Sequence, residues 1–178
     1  MTAKKTALAI WKWLAKVQQY IVVVSLATSL GFVFAEVLLR NFIKTSLFGT
    51  SELAILSSWW FYLIGASVGA WERSHVKADI LLVFAKRIPH RMAQIRVVSS
   101  LLSLSLCAVA TSWAFIYIDR AFDLGRVSFY LRIPMVYAQF PILIGLILMS
   151  FYFLVQLVDH VLQLTGKRPI EAYMGDTN

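Results

Sequence analysis

Four long, almost uninterrupted apolar stretches restrict this chain more than any other feature. They run over residues 20–39, 53–71, 96–118 and 139–164. A helix crossing about 30 Å of hydrocarbon at about 1.5 Å per residue needs roughly 20 mostly apolar residues. Each stretch supplies that length, and with their linkers they use nearly all of the 178 residues. The expected fold is all-α: an integral membrane protein with four transmembrane helices in one membrane domain over residues 1–178. Composition agrees, with 60% hydrophobic and 15% charged residues, where a soluble domain is nearer 45–50% apolar and about 25% charged. A transmembrane barrel would alternate apolar and polar positions over about 10 residues, and these runs do not. The single cysteine, Cys107, excludes an internal disulfide framework and a cysteine-based zinc site.

Ahead of the first stretch, about residues 4–19 carry a different pattern. Lys5, Lys12, Lys16 and Gln19 share one helical face, and Ile10, Trp13, Leu14 and Val17 the other. This predicts a short amphipathic helix lying in the membrane interface, in contact with lipid. The alternative is a charged extension of the first spanning helix whose lysines snorkel. No small-residue cleavage site follows, so the segment does not read as a signal peptide.

Lys and Arg placement sets the expected orientation. Lys4, Lys5, Lys12, Lys16, Arg73, Lys77, Lys86, Arg87, Arg91, Arg96, Lys167 and Arg168 fall on one side. The smaller group, Arg40, Lys44, Arg120, Arg126 and Arg132, falls on the other. Both termini are therefore expected in the cytoplasm. The net charge of +8 reads as a topology signal, and no nucleic-acid partner is expected because no basic soluble module exists here.

Several residues stand out. Glu52 falls in the first turn of the second helix, where the helix dipole favours a carboxylate. Gly65 and Gly69 form a GxxxG that lets two helix backbones approach closely. The third helix is rich in hydroxyls (Ser99, Ser100, Ser103, Ser105, Thr111, Ser112), which usually bond back to their own helix. His75 and Asp79 are four apart in a cytoplasmic loop, so the carboxylate can orient the imidazole, but two ligands are too few for a metal. Pro89 is expected to end a helix that follows Asp79. Gly125 suits a helix C-cap, while Pro134 and Pro141 frame entry into the fourth helix, with Pro141 in its first turn. Glu36 and Arg40, also four apart, read as a snorkelling pair at the end of the first helix.

No charged residue lies near the middle of any span, whereas ion-coupled transporters carry charge or broken helices there. His75, His90 and His160 lie at or beyond helix ends, unsuited to holding haem between helices. The residues show no catalytic, cofactor-binding or metal site, which favours an accessory subunit over an enzyme or a self-sufficient transporter. Two alternatives are a small oligomeric transporter or channel built along the third-helix hydroxyls, and a membrane enzyme or redox subunit.

Certain motifs, taken in order, carry a resemblance. They are VLLRNF at 37–42, SELA at 51–54, LIGASVGAWERSHVKADILL at 63–82 and LRIPMVYAQFPILIGLILM at 131–149. The chain resembles the DctQ-type small membrane subunit of the tripartite ATP-independent periplasmic (TRAP) transporters. Arg40, Glu52, Gly65, Ala66, His75 and Asp79 stand at places that family marks, as do Pro134, Met135, Tyr137, Pro141 and Gly145. One departure is the single carboxylate at Glu52, where many members have two in succession.

The resemblance implies a permease subunit of the bacterial inner membrane with two partners: a large multi-spanning membrane subunit and a periplasmic substrate-binding protein. It implies sodium-driven uptake of an organic acid, such as a C4-dicarboxylate, a sialic acid or another sugar acid, with overall similarity inclining towards sialic acid. Substrate and sodium sites would lie in the large subunit, leaving this chain without a cofactor and bracing the scaffold. Arg40 and Glu52 are then expected to pair with each other or with the large subunit. His75 and Asp79 are expected to fix a cytoplasmic turn, and Gly65 and Gly69 to pack helices closely.

Overall fold

Long runs of Leu, Val, Ile and Ala leave the backbone no hydrogen-bond partner but itself in an apolar medium, and the helix is the local solution. The computed structural model describes residues 2–44, 49–72 and 89–165. They form four helices: α1 (Thr2–Leu38), α2 (Thr50–Trp71), α3 (Pro89–Leu124) and α4 (Val136–Leu164). Each is long and apolar enough to cross a membrane, over Ala9–Phe42, Thr50–Trp71, Gln94–Leu124 and Val136–Leu162. The only β pairing among the described residues is an isolated bridge between Val127 and Pro134.

Boundaries differ from the sequence expectation in instructive ways. The amphipathic segment is not a separate element, because residues 4–19 are the first turns of an unbroken α1. Val17-Gln18-Gln19-Tyr20-Ile21-Val22 holds no Gly or Pro, the residues that break a helix. α1 closes in a π turn over Leu39–Ile43, and Lys44 takes the left-handed conformation at φ 55°. Pro89 opens α3, at the first helical position where a missing N–H costs nothing. The helix it was expected to end lies outside the described residues. Gly125 follows the end of α3 at φ 52°, its N–H donating to Phe122 O at 3.2 Å, as its C-cap reading requires. Pro141 departs from expectation: α4 starts at Val136, so Pro141 sits inside the helix, beyond the first turn. There it lacks the N–H that would bond the carbonyl four residues back.

The helices form an open row: α1 packs on α2, α2 on α4, and α4 on α3. Among the described residues the backbones of the two edge helices, α1 and α3, do not come together, although Trp11 of α1 reaches past α2 to Tyr152 of α4. Their inward faces show how the row is encoded. On α1 one line of covered residues runs Trp11, Ala15, Gln18, Val22, Ser25, Ser29, Phe32 and Glu36, with Leu14, Val17, Ile21 and Ala35 also covered beside it. The line alternates in steps of four and three, a heptad seam that keeps one neighbour in register along the whole helix. α3 repeats the device with Ser100, Leu104, Cys107, Thr111, Ala114, Ile118 and Ala121. The middle helix α2 is covered on two sides, leaving only a narrow exposed stripe at Ser51, Ile55, Trp59 and Tyr62. Buried Ile64, Ser67 and Ala70 of α2 and Tyr152 and Phe153 of α4 lie in the core of the row.

Candidate functional site

Glu52 is where the chain concentrates polar interactions between elements at one end of the row. The left-handed Gly49 (φ 112°) leads into α2, and Leu53 N–H donates to its carbonyl at 3.1 Å. Glu52 follows in the first turn, as the sequence predicts. Its carboxylate, however, reaches across to the loop between α3 and α4. It accepts from the Ser128 hydroxyl, from Tyr130 N–H at 3.0 Å and from Leu131 N–H at 3.1 Å. The loop is itself closed by Ser128 N–H to Ile133 O at 2.8 Å and Met135 N–H to Arg126 O at 2.9 Å. One carboxylate thus occupies a nest of donors that a short, left-turning loop could not satisfy internally.

The expected Arg40–Glu52 pairing within the chain is not present among the described residues. Glu52's oxygens face the 128–131 turn, and Arg40 is exposed in the π turn at the end of α1. Pro134 joins the clasped loop from the other side, opposite Val127 in the isolated bridge, and its carbonyl accepts from Tyr137 N–H at 3.1 Å as α4 begins. Pro141 is almost wholly buried in α4. His75 and Asp79 lie outside the described residues.

Further along the row, polar side chains tie the helices in sequence. Ser29 of α1 meets Ser58 of α2 at 2.8 Å. Gln18 of α1 donates to the Tyr152 hydroxyl of α4 at 2.7 Å, and Ser67 of α2, whose hydroxyl donates to Ile64 O at 2.7 Å, lies 3.3 Å from Gln18 Oε1. Trp11 stacks edge-on against Tyr152 with ring centroids 5.1 Å apart. Gln156 of α4 donates to Ala70 O at 2.6 Å, near the C-terminal end of α2. Ser100 and Thr111 of α3 reach His160 Nδ1 at 2.7 Å and Ser150 at 3.2 Å on α4. Ser105 and Ser112 bond back to carbonyls of their own helix, the ordinary fate of helical hydroxyls.

Among the glycines whose surroundings are described, the closest backbone approach is at Gly145. A Cβ on Gly145 of α4 would sit 2.7 Å from Leu63 O, against the α2 backbone. A Cβ on Gly65 would meet only Val22 Cγ2, at 4.0 Å. Gly69 is half-buried on the same helix. Sequence reading missed Ser128, Gln18, Tyr152 and Gln156 as interhelical ties. The available signal was a side-chain amide at the end of an apolar run, since a buried polar group must find a partner.

Chemically, the arrangement holds helices and a loop in place; among the described residues no three His, Cys, Asp or Glu side chains gather as a metal site. Residues 29–163 match the family described as tripartite ATP-independent periplasmic transporters, DctQ component. No curated protein and no solved structure matches the chain.

Proposed function

The chain belongs to the DctQ component family, the small membrane subunit of the tripartite ATP-independent periplasmic transporters, and from that premise we propose that it braces a large transport subunit. In this reading the large subunit carries the substrate and sodium sites, and a periplasmic binding protein delivers an organic acid. The assembly sits in the bacterial inner membrane with both termini of this chain in the cytoplasm. C4-dicarboxylates, sialic acids and other sugar acids are the candidate substrates.

The open row of helices is the observation that carries the reading. A row with unjoined edges leaves broad faces of apolar side chains exposed. Large side chains such as Leu102, Leu106, Val109, Trp113 and Ile116 on α3 are exposed in the isolated chain. A brace needs that kind of surface; a carrier needs a polar pathway. The alternative, a small oligomeric channel, would turn the α3 hydroxyls towards a shared axis. Ser100 and Thr111 are engaged with α4, while Ser99, Ser105 and Ser112 stay exposed along α3.

Within the proposal, Arg40 is left to meet the large subunit, and His75 and Asp79 fix a cytoplasmic turn. The test is co-purification of the tagged full chain, co-expressed with its neighbouring genes, from mild detergent. A stoichiometric, very hydrophobic partner is expected, with Arg40→Ala and His75→Ala lowering its yield. A stable homo-oligomer that excludes such a partner would overturn the proposal.

A further inference from the structure

The clasped loop between α3 and α4 has a second face. Phe129 at its tip is 87% exposed, and Tyr130 beside it is 53% exposed, the two rings packed edge to face with centroids 5.3 Å apart. Arg126 and Arg132 flank them and are also exposed. Leu131 points the other way, its side chain lying against Gly49. The loop is fixed in this pose from two directions: its own closing hydrogen bonds, and the Glu52 carboxylate on Ser128, Tyr130 and Leu131. Because the backbone is held, the aromatic tip cannot fold back to hide its apolar surface.

Its place in the fold suggests a partner by chemistry. The spans of α3 and α4 end at Leu124 and begin at Val136. Both helices are long and apolar enough to span by length and composition, so the loop joins them on one side of the bilayer, near the level where aromatic rings are enriched in membrane proteins. Arginine forks at that level match phosphate oxygens in geometry and charge. We propose that the 126–135 loop is a membrane-interface anchor: Phe129 inserts among phospholipid headgroups, Arg126 and Arg132 engage their phosphates, and Glu52 is the positioning residue that holds the pose.

The test uses the full chain with Cys107→Ala and a nitroxide on Val127→Cys, a loop position that leaves Phe129 in place. It is reconstituted in nanodiscs of phosphatidylethanolamine and phosphatidylglycerol, and each variant is first checked for wild-type elution and helicity. Collision with oxygen is expected to exceed collision with a water-soluble nickel chelate. Phe129→Ser should shift the label towards the aqueous reagent, while Phe129→Tyr should retain the original depth. In the parent the label should sit deeper in discs containing anionic phosphatidylglycerol than in phosphatidylcholine discs, and Arg126→Gln with Arg132→Asn should abolish that difference; Asn tolerates the left-handed φ of 49° at position 132. Glu52→Gln should increase label mobility at unchanged helicity. A label open to the aqueous reagent in the parent protein would overturn the anchor. So would shielding that arises only when a co-expressed membrane partner is bound, because the loop would then be covered by protein.

Discussion

Gly145 offers the sharpest test of how the row is packed. Replacing it with Ala puts a methyl carbon 2.7 Å from Leu63 O and 3.1 Å from both Leu63 C and Leu63 Cβ. The first two are backbone atoms of α2 and cannot rotate aside as a side-chain terminus would. Relief therefore requires α2 and α4 to separate by about half an ångström, and a gap of that size forfeits roughly a quarter of the attraction of each contact across it. Overpacking of this kind costs about 1–3 kcal/mol. Helix propensity returns about 0.8–1.0 kcal/mol for Gly to Ala, so the net change is a loss of up to about 2 kcal/mol. Gly145→Val adds bulk at the same backbone and should be worse.

Gly65→Ala is the internal control. Its Cβ would meet Val22 at 4.0 Å, an ordinary van der Waals distance, so the propensity gain is unopposed. The variant should be as stable as the parent or up to about 1 kcal/mol more stable. Thermal unfolding of the purified chains in one detergent, followed by fluorescence-detected gel filtration, reads the sign directly. Gly145→Ala should melt lower than the parent and Gly65→Ala no lower. Equal or opposite shifts would refute the assignment of the close approach to Gly145.

Three further outcomes follow from the hydrogen bonds. A double-mutant cycle with Gln18→Leu and Tyr152→Phe should give a coupling near 0.6 kcal/mol and below about 1.7 kcal/mol, and a cycle with no coupling would remove their 2.7 Å bond. The same cycle for Ser100→Ala and His160→Phe should couple α3 to α4 by a similar amount, while Ser105→Ala, whose hydroxyl bonds its own helix, should be near neutral. Glu52→Gln should speed hydrogen exchange at the Tyr130 and Leu131 amides and leave exchange in the middle of α2 unchanged; unchanged loop protection would show that the carboxylate does not hold the loop.

Four spanning helices were legible because a bilayer imposes length and apolarity on each segment separately, and those are properties of contiguous sequence. Helix ends were less legible for the same reason: α3 and α4 run past their apolar stretches to Pro89 and Val136, where capping and loop geometry decide, not hydropathy. Glu52 was found by position, in the first turn of α2, yet its partners lie more than seventy residues on, at Ser128, Tyr130 and Leu131. Two of those partners are backbone N–H groups, which every non-proline residue possesses, so no side-chain motif could mark them. The GxxxG illustrates the limit from the other side. Its spacing identifies a smooth helix face but not the helix that meets it, and at Gly65 an added Cβ would meet Val22 Cγ2 at 4.0 Å. Gly145 has no small residue spaced four away, at Pro141 or Met149. It works alone because α2 and α4 run in parallel, with the clasp near their first residues and Gln156 on Ala70 near the far end of α2. Ties at both ends leave the midpoint nowhere to go but inward, and there a side chain larger than hydrogen would keep the helices apart.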